Sequence, residues 1–562
     1  MARSTRVTPD RIGTLLMQGN ALASQAQYRD AIRCYEKILE LAPRNLDAIN
    51  NRGNCLSLLG EFAEAIKTYD AIIAARPNDL RAHCNRANAL KQLGRCHEAL
   101  AEYERVLEAD PGNADALYNR GNMFADLGLP KEAIRDLRRA LALNPNDPDT
   151  STSLIFALNF DPDATAEELQ AERREWGSRY DDLLDGVAHA NKPEPDRRLR
   201  IGYVSAHFRH QAATYAFGGV IVHHDPQQFE IVAYSDTRDE DALTERLRSH
   251  VHSWRRTAHL SDDQLSSLIR ADRIDILVDL VGHMKGNRLL VFAQKPAPIQ
   301  VTAWGEPTGT GLKAIDYIFA DPILIPAAER SLLRERVADL PNFLGYWSPE
   351  PLPEIQPLPA LQRDHVTFGS FNRLAKVQPP MLRCWAAILR ALPSSRLILK
   401  GRLIDLATER APILAALASE GIAAQRVTIH DQGGRESHFA AYRDLDIALD
   451  PSPHGGGMTT LDALWMGVPV VTCVGRTISS RLAAASLHAA GLDDYIASDP
   501  GRYIELAIAK ASDLAALADL RRTLRERIAG TAFGDAVRYA RAVEGQYRSM
   551  WRRWCDQQRR VA

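Results

Sequence analysis

The pattern of apolar and polar positions changes near residue 148 and again near residue 349. Before residue 148, small, aromatic and proline positions recur every 34 residues. Four sets of residues share this register: Pro43, Pro77, Pro111 and Pro145; Ala31, Ala65, Ala99 and Ala133; Tyr35, Tyr69 and Tyr103; and Gly19, Gly53 and Gly121, with Ala87 replacing glycine once. Because several features share one period, the sequence predicts an array of structural repeats.

A unit of 34 residues with two small positions and a closing proline is the signature of the tetratricopeptide repeat. The small residues allow two antiparallel helices to approach closely, and the proline ends the second helix. We predict four repeats, over about residues 12–45, 46–79, 80–113 and 114–147. Stacked repeats form an α-solenoid with a concave surface.

Asparagine occupies one helical position in three successive repeats, as Asn51, Asn85 and Asn119. Stacking would align their amides in a row that can hydrogen-bond the backbone of an extended peptide without reading its side chains. The alternative is that these amides bond only within the solenoid. We favour the peptide-binding interpretation.

Beyond residue 196, short apolar runs alternate with helical stretches, which predicts parallel sheets with helical crossovers. The predicted strands lie within 200–205, 229–235, 274–280, 299–304 and 314–320, and then within 366–371, 396–400, 426–430, 447–450 and 468–472. Two such halves imply a cleft between them. Open α/β sheets bind ligands at the carboxyl ends of their strands, so we expect a site there.

These changes divide the chain into six predicted parts. Repeats occupy residues 1–147, and a helical bridge with a charged linker occupies 148–196. The α/β halves lie at 197–348 and 363–530, joined by a proline-rich linker at 349–362, and a last helix fills 531–562. The predicted fold class is therefore an α-solenoid followed by two Rossmann-like α/β halves.

Composition excludes several classes of protein. The 562 residues are 45% hydrophobic and 25% charged, as in ordinary globular proteins. A net charge of −2 lacks the basic footprint of a general nucleic-acid binder. The sequence has no run of 18 apolar residues, so no membrane span is predicted. The start of the chain lacks the apolar segment of a signal peptide. Seven scattered cysteines without a C-x-x-C motif argue against a disulfide framework or a zinc site, so a cytoplasmic location is expected.

Two loops that follow predicted strands of the second half carry basic residues. Lys376 comes shortly after the strand within 366–371, where an ammonium group can neutralise phosphate, although many lysines in such loops are simply solvated. The loop after His430 contains two glycines, which let the backbone approach a ligand, followed by Arg435 and His438. His438 can stack on a base; taken alone, it is expected to pack a helix start.

A third loop of the second half is rich in glycine and leads into a helix. Free backbone N–H groups at a helix start bind phosphate. The alternative is purely local, since Thr459 and Asp462 match a capping arrangement. Three consecutive glycines exceed what a cap requires, so we predict an anion site built from Gly455, Gly456, Gly457, Met458, Thr459, Thr460 and Asp462.

The chain resembles the bacterial branch of the O-linked N-acetylglucosamine transferase family, which also includes the plant SPINDLY type. The resemblance covers essentially the whole chain and implies tetratricopeptide repeats followed by a two-half GT-B glycosyltransferase. The stretches that carry it are 201–205, 296–302, 371–376, 455–472 and 476–487.

The resemblance implies roles for the loop residues. Lys376 would bind the nucleotide diphosphate and stabilise the leaving group, and Thr459 with the glycine backbone would cradle the phosphates. Asp462 would accept hydrogen bonds from the ribose hydroxyls, while Arg435 and His438 would border the base and ribose. No metal and no further cofactor is implied, so the D-x-D formed by Asp444 and Asp446 is not predicted to bind one.

Two segments depart from the family pattern, one at two positions and the other at one. The family usually shows Ser-x-Asp-Phe-x-x-His after its first catalytic strand, whereas here His207 replaces the aspartate and Gln211 replaces the final histidine. Either the neighbouring His210 fills the vacant position or the site lacks an imidazole there. Glu306 stands where the family commonly has an aromatic residue, and it is a further candidate base or acceptor contact.

The C-terminal stretch 547–554 is basic and aromatic. Contact with a membrane or a nucleic acid is one interpretation of it. We favour the other, in which a last helix packs its tryptophans against the first catalytic half.

The expected function is transfer of a sugar to Ser or Thr hydroxyls of a protein, with inversion and without a metal. UDP-GlcNAc is the favoured donor. The alternatives are a SPINDLY-like transfer from GDP-fucose and a repeat scaffold with a weakened transferase half. The expected partners are the nucleotide sugar and a protein or peptide held by the repeats, rather than nucleic acid or membrane.

Overall fold

The computed structural model describes residues 9–184, 187–348, 352–401, 406–431 and 433–561. Pro349 and Pro351 of the predicted linker, and Gln432 in the loop after His430, lie outside the described residues. The chain divides into two units: residues 1–150 with 403–412, and residues 151–402 with 413–562.

Eight helices, two in each predicted repeat, build the first unit up to Leu143. Each pair packs side by side, as the repeat pattern predicted, and the tetratricopeptide part of the predicted fold is confirmed. The helices are α1 (Pro9–Ser24), α2 (Tyr28–Leu41), α3 (Leu46–Leu58), α4 (Phe62–Ala75), α5 (Leu80–Gln92), α6 (Cys96–Ala109), α7 (Ala114–Asp126) and α8 (Pro130–Leu143).

In the first two repeats, an aromatic ring of the second helix packs directly against the Cα of a glycine on the first helix. A Cβ on Gly53 would lie 2.7 Å from Cε1 of Tyr69, which is closer than real Cβ atoms approach. The Tyr69 hydroxyl in turn donates a hydrogen bond of 2.8 Å to Oδ1 of Asn54. The small, aromatic and amide positions of the repeat are thus one packing unit.

The second unit begins with the C-terminal part of α9 (Pro148–Leu158) and α10 (Ala166–Ser178). Its first half is a parallel sheet in the order β3-β2-β1-β4-β5-β6-β7. The elements are β1 (Leu199–Ser205), α11 (Ala212–His223), β2 (Phe229–Ser235), α12 (Ala242–Arg248), β3 (Ser253–Arg256), α13 (Asp262–Ala271), β4 (Ile276–Asp279), α14 (Leu289–Ala293), β5 (Ile299–Thr302), β6 (Tyr317–Ala320) and β7 (Arg336–Asp339).

The second half is a parallel sheet in the order β10-β9-β8-β11-β12-β13. Its elements are β8 (Thr367–Ser370), α15 (Pro379–Ala391), β9 (Arg396–Gly401), α16 (Leu406–Ser419), β10 (Val427–Asp431), α17 (Arg435–Ala441), β11 (Ile447–Leu449), α18 (Met458–Trp465), β12 (Val470–Cys473), α19 (Leu482–Ala489), β13 (Ile496–Ala497), α20 (Pro500–Ser512) and α21 (Leu514–Ala529), followed by α22 (Ala536–Val561).

Each sheet has one point at which the strand order reverses. The reversal lies between β1 and β4 in the first half and between β8 and β11 in the second. Loops that leave the carboxyl ends of the two central strands diverge there and leave a crevice, which is where open α/β sheets bind ligands. The loop that contains Lys376, here called the lysine loop, follows β8. The loop that contains Gly455, Gly456 and Gly457, the glycine loop, follows β11, so both predicted phosphate contacts flank the second crevice.

Three strands of the structure were missed by the sequence analysis, namely β3, β7 and β13. All three lie at a sheet edge or are very short. Exposed polar side chains such as Arg255 and Arg256 give β3 no apolar run to recognise. The ten predicted strands all exist, with ends shifted by up to three residues.

The last helix, α22, packs against the first half, as expected. Trp551 is fully buried, and its Nε1 donates a hydrogen bond of 2.8 Å to the carbonyl of Glu194. The hydroxyls of Tyr547 and Tyr203 lie 3.0 Å apart inside the same interface. Among the helices in the described ranges, none is both long and apolar enough to cross a membrane.

We predict that Gly53→Val destabilises the repeat unit by about 1–3 kcal/mol, because the added methyl groups must displace the Tyr69 ring. The midpoint of the helical unfolding transition, followed by circular dichroism, should fall. Gly13→Ala is the matched control, since a Cβ on Gly13 meets nothing within 4 Å in the same repeat array. Equal midpoints for Gly53→Val and the wild type would contradict the packing argument.

Candidate active site

Lys376 joins the two loops that flank the crevice of the second sheet. It ends the short 3-10 turn Leu374–Lys376 after β8. Its Nζ donates a hydrogen bond of 2.7 Å to the carbonyl oxygen of Gly455, in the glycine loop after β11. The side chain is half-buried.

Asp450 faces this ammonium from the end of β11 and was not picked out from the sequence. Its carboxylate accepts hydrogen bonds from Gly456 N at 2.7 Å and from Thr472 Oγ1 at 2.8 Å. Burial raises the pKa of Asp450, and burial also lowers the pKa of Lys376 below its usual range, against the attraction between the two groups. The cation is therefore only partly compensated inside the protein.

The glycine loop lies too close to its surroundings for any larger residue. A Cβ on Gly456 would lie 2.6 Å from Thr459 Oγ1 and 3.0 Å from an oxygen of Asp450. Thr459 Oγ1 donates to Oδ1 of Asn372 at 2.9 Å, while Thr460 Oγ1 donates to the carbonyl of Gly456 at the same distance. A pocket lined by residues of both loops, including Asn372, Asp450 and Thr459, lies at this point.

The start of α18 leaves backbone donors open to a ligand. Gly457 precedes Met458, the first residue of the helix, and no side chain caps this end. The first N–H groups of any helix have no intrahelical acceptor, and they attract anions. The capping alternative for Thr459 and Asp462 is not formed, because their side chains bond elsewhere.

Polar side chains of the predicted base and ribose region surround the carboxylate of Asp462. The Tyr346 hydroxyl donates to its Oδ1 at 3.1 Å, and Nε2 of His438 lies 3.3 Å from Oδ2. Arg435 approaches the same carboxylate at 3.8 Å. The His438 ring also packs edge-on against Tyr442, so it is held from two sides.

The first half reaches this cluster through Tyr215 on α11. The Arg435 guanidinium lies 3.6 Å from the centre of the Tyr215 ring, a cation–π contact between the two halves. The Tyr215 hydroxyl lies 2.7 Å from Nδ1 of His210. His210 is exposed, and its partner Tyr215 is the residue that meets Arg435, whereas Gln211 is the residue that precedes α11.

His207, at the position where the resembling family has aspartate, is buried beside β1. Its carbonyl accepts a hydrogen bond from the Thr214 hydroxyl. Burial lowers the pKa of His207 to about 4, so this imidazole is neutral near pH 7. Nδ1 of His207 has no hydrogen-bond partner among the described residues.

Glu306 does not face the crevice as an open base. Its Oε1 accepts hydrogen bonds from Asn159 at 2.6 Å and from Arg173 at 3.0 Å, both outside the α/β sheets. Its Oε2 accepts from the backbone N–H of His283 at 3.0 Å. Because both oxygens are occupied and the side chain is buried, the geometry favours a structural role over proton transfer.

The three asparagines of the repeat row are partly engaged within the solenoid. Asn51 Nδ2 donates to Oδ1 of Asn20 at 3.0 Å. Asn85 Nδ2 donates to the side-chain oxygens of Asn50 and Asn54 at 3.1 and 3.2 Å. These bonds link the amides of the first three repeats, and Asn119 occupies the equivalent position of α7.

The D-x-D motif is used inside the fold. Asp446 accepts hydrogen bonds from the backbone of Ala360 at 2.9 Å and of Thr367 at 2.8 Å, and Asp444 pairs with Arg363. Within the described ranges, no three His, Cys, Asp or Glu side chains come together in an arrangement suited to a metal ion.

Several residues of the cluster escaped the sequence analysis. Asp450 and Asn372 lie in the same loops as predicted residues, and an acidic residue directly after a strand was the available signal for Asp450. Arg481 lies in a stretch that carried the family resemblance, and it binds the carbonyl of Leu324 and the carboxylate of Glu329 in the first half. For Tyr215 no local signal existed.

Comparison with known proteins agrees with this architecture. The sequence pattern of the family described as glycosyl transferase family 41 matches residues 186–347 and 358–543, and a tetratricopeptide-repeat pattern matches 16–79 and 84–148. The solved structure of a Thermobaculum terrenum O-GlcNAc transferase mutant is 32% identical, covers 98% of this chain and 99% of that chain, and gives a TM-score of 0.81.

Curated relatives come from plants and animals. A Solanum lycopersicum protein named probable UDP-N-acetylglucosamine–peptide N-acetylglucosaminyltransferase SPINDLY is 38% identical over 427 residues, which is 73% of this chain and 45% of that protein. A Caenorhabditis elegans UDP-N-acetylglucosamine–peptide N-acetylglucosaminyltransferase is 22% identical over 476 residues, 64% of this chain and 41% of that protein. The chain thus spans less than half the length of these relatives. The matches to the catalytic halves and to the repeats together show that the chain belongs to glycosyl transferase family 41.

Proposed function

We propose that the protein is a protein O-glycosyltransferase that transfers GlcNAc from UDP-GlcNAc to Ser or Thr hydroxyls, with inversion. One observation carries the proposal: the hydrogen bond between Lys376 and Gly455 brings a cation and a helix N-terminus to one crevice. Family membership supports the reaction class, and the names of the relatives support the donor.

The leaving nucleotide diphosphate gains negative charge as its bond to the sugar breaks. Lys376, the first N–H groups of α18 and the Thr459 hydroxyl surround the point at which that charge would develop. Donors that are held in place before the reaction stabilise the transition state without reorganising. With this charge compensation supplied by the protein, we propose that transfer proceeds without a metal ion.

The ribose and base would lie beyond the phosphates, against α17 and α18. Asp462 is an acceptor suited to ribose hydroxyls, and its contacts with His438 and Arg435 fix its orientation. The glycines of the loop let the backbone reach the ligand, since no side chain intervenes.

The acceptor hydroxyl would attack the anomeric carbon from the side opposite the diphosphate, and a single displacement of this kind inverts the configuration. Its proton needs a base on the acceptor side. His210 is an exposed imidazole that contacts Tyr215, the residue that meets Arg435 of the second half, which makes it our candidate. Glu306 is not proposed for this role because both of its oxygens are occupied.

The repeats would hold the protein acceptor. The linked amides around Asn51 and Asn85 offer donors and acceptors at regular spacing to an extended backbone, with Asn119 continuing the row. Backbone recognition of this kind would accept many sequences. We propose a cytoplasmic location for the reaction.

The proposed function is tested by a panel of nucleotide sugars that includes UDP-GlcNAc and GDP-fucose, with binding and transfer measured separately. We expect UDP-GlcNAc to support transfer and Lys376→Met to lower it by at least about 10²-fold, because the variant keeps the length of the side chain and removes its charge. Normal transfer by Lys376→Met would remove Lys376 from the mechanism. Transfer from GDP-fucose alone would correct the donor.

The lysine assignment also has a pH signature. An ordinary lysine has a pKa near 10.4, and the pKa of Lys376 is lowered. The Lys376 ammonium group therefore loses its proton at a lower pH than an ordinary lysine does. UDP affinity of the wild type, measured by titration calorimetry, should therefore fall at alkaline pH, approaching tenfold per pH unit. Lys376→Met should bind weakly at every pH, without this decline.

The loop after β1 departs from the family pattern, and its role is tested by removing the imidazole at His210 or adding one at Gln211. If His210 accepts the proton, His210→Ala should lower kcat by about 10²–10⁴-fold, and Gln211→His should change it little. If the site lacks an imidazole, Gln211→His should raise kcat while His210→Ala does little. Rates within a few-fold of the wild type for both variants would exclude both versions and leave the proton to the donor phosphate.

The repeat row is tested by the triple variant Asn51→Ala, Asn85→Ala, Asn119→Ala. We expect a higher KM for protein acceptors and an unchanged affinity for UDP, because the nucleotide contacts all lie beyond residue 343. Lys67 is an exposed residue of α4, and Lys67→Ala serves as the control for a surface substitution in the same repeats. Unchanged KM in the triple variant, with the repeats folded, would leave the row without a role in acceptor binding.

A further inference from the structure

Two consecutive residues after α9 contact loops that belong to different halves. The Phe160 ring stacks on His454, with ring centres 4.7 Å apart and an angle of 20° between the planes. The preceding side chain, Asn159, donates a hydrogen bond of 2.6 Å to Glu306. His454 directly precedes Gly455 in the glycine loop, whereas Glu306 lies in the loop after β5.

A buried network strengthens the contact with the first half. Arg173 of α10 donates to Glu306 at 3.0 Å and to the Thr308 hydroxyl at 2.8 Å. Arg173 also donates to Oδ1 of Asn159 at 3.0 Å, so the groups around Glu306 hold one another. The other oxygen of Glu306 holds the backbone N–H of His283, in the loop after β4.

The loop after β4 is packed against the acceptor-side loop after β1. A Cβ on Gly286 would lie 3.0 Å from Cβ of Ala206. The contacts therefore run from Glu306 through the loop after β4 to the segment that carries His210, our candidate base.

At the other end, the stacked pair orients the glycine loop. Nδ1 of His454 lies 3.1 Å from the carbonyl oxygen of Gly455, the same oxygen that accepts the hydrogen bond from Lys376. A ring held by Phe160 fixes the start of the loop, and the loop fixes the phosphate contacts of the proposed function.

We propose that Asn159, Phe160 and Arg173 form a brace that positions the donor-side glycine loop and the acceptor-side loop for transfer. The inference rests on the proposed function. A buried ion pair is weak evidence for stability alone, because apolar residues of similar size often serve as well. A carboxylate that accepts hydrogen bonds from two segments is suited to fixing the position of one segment relative to the other. These are positioning residues, which act through the loops.

The donor end is tested with Phe160→Ala and Phe160→Tyr. We expect Phe160→Ala to raise the KM for the nucleotide sugar about fivefold to tenfold, because the His454 ring loses its partner. Phe160→Tyr keeps the stacked ring and should restore a KM within twofold of the wild type. A KM unchanged in Phe160→Ala would overturn this end of the brace.

The acceptor end is tested with Glu306→Gln and with the double variant Arg173→Met, Glu306→Leu. Glu306→Gln leaves the Arg173 charge buried without its partner, and the single variant is therefore at risk of not folding. The double variant removes both charges but still leaves His283 without its acceptor. We expect the double variant to fold and to show a kcat at least tenfold below the wild type, with donor KM unchanged.

If Arg173 and Glu306 served stability alone, the double variant would have the melting temperature and the kcat of the wild type. That result would overturn the proposal. Glu175→Gln is the control, because Glu175 forms an exposed ion pair of 3.8 Å with Arg179 on the same helix. It should leave kcat and both KM values unchanged.

Hydrogen exchange of the full chain separates the brace from the proposed function. Phe160→Ala should increase exchange at residues 455–458, and the double variant should increase it at 282–286. These changes are expected even if the wild type transfers no sugar, in which case the proposed function fails and the brace stands. Exchange equal to that of the wild type in both segments would overturn the brace.

Discussion

The second α/β half depends on one electrostatic constraint, an ammonium group held by a backbone carbonyl where two loops meet. Burial disfavours the charged form of Lys376, and the facing carboxylate of Asp450 is itself buried and only partly compensates it. An anionic ligand would supply the missing compensation. The glycines follow from the same constraint, because a Cβ on Gly456 would occupy the space between Asp450 and the threonine hydroxyls. The loop is compact because the charge must stay close to the point at which the ligand binds.

Much of the architecture was predictable because it is encoded over short distances. A period of 34 residues marks each repeat independently, so one irregular position such as Ala87 does not hide it. Buried parallel strands are continuous apolar runs, which explains why the central strands were recognised and the edge strand β3 was not. The lysine loop and the glycine loop were recognised as candidate phosphate contacts because each is contiguous in sequence. Their meeting at the strand-order reversal follows from the topology of the sheet.

The remaining features depend on contacts between distant segments. Glu306 has an ionisable side chain beside a strand end, which suggested a base, but its partner Arg173 is 133 residues away and nothing local indicates the pair. The contact between Tyr215 and Arg435 joins two halves whose docking the sequence does not encode locally. The asparagine row was recognised by position, whereas the orientation of each amide depends on neighbours such as Asn54. Location was thus easier to predict than role.

The two departures from the family pattern lie at the same edge of the first sheet, and the structure connects them. His207, in place of an aspartate, is neutral because burial lowers its pKa to about 4. Glu306, in place of an aromatic residue, is buried in an ion pair with Arg173 of α10. Neither substitution adds an exposed carboxylate to the acceptor side. At this edge His210 contacts the Tyr215 hydroxyl, and the Tyr215 ring meets Arg435 of the second half. In the proposed reaction, the proton of the acceptor hydroxyl would therefore have two destinations, the imidazole of His210 or an oxygen of the donor diphosphate.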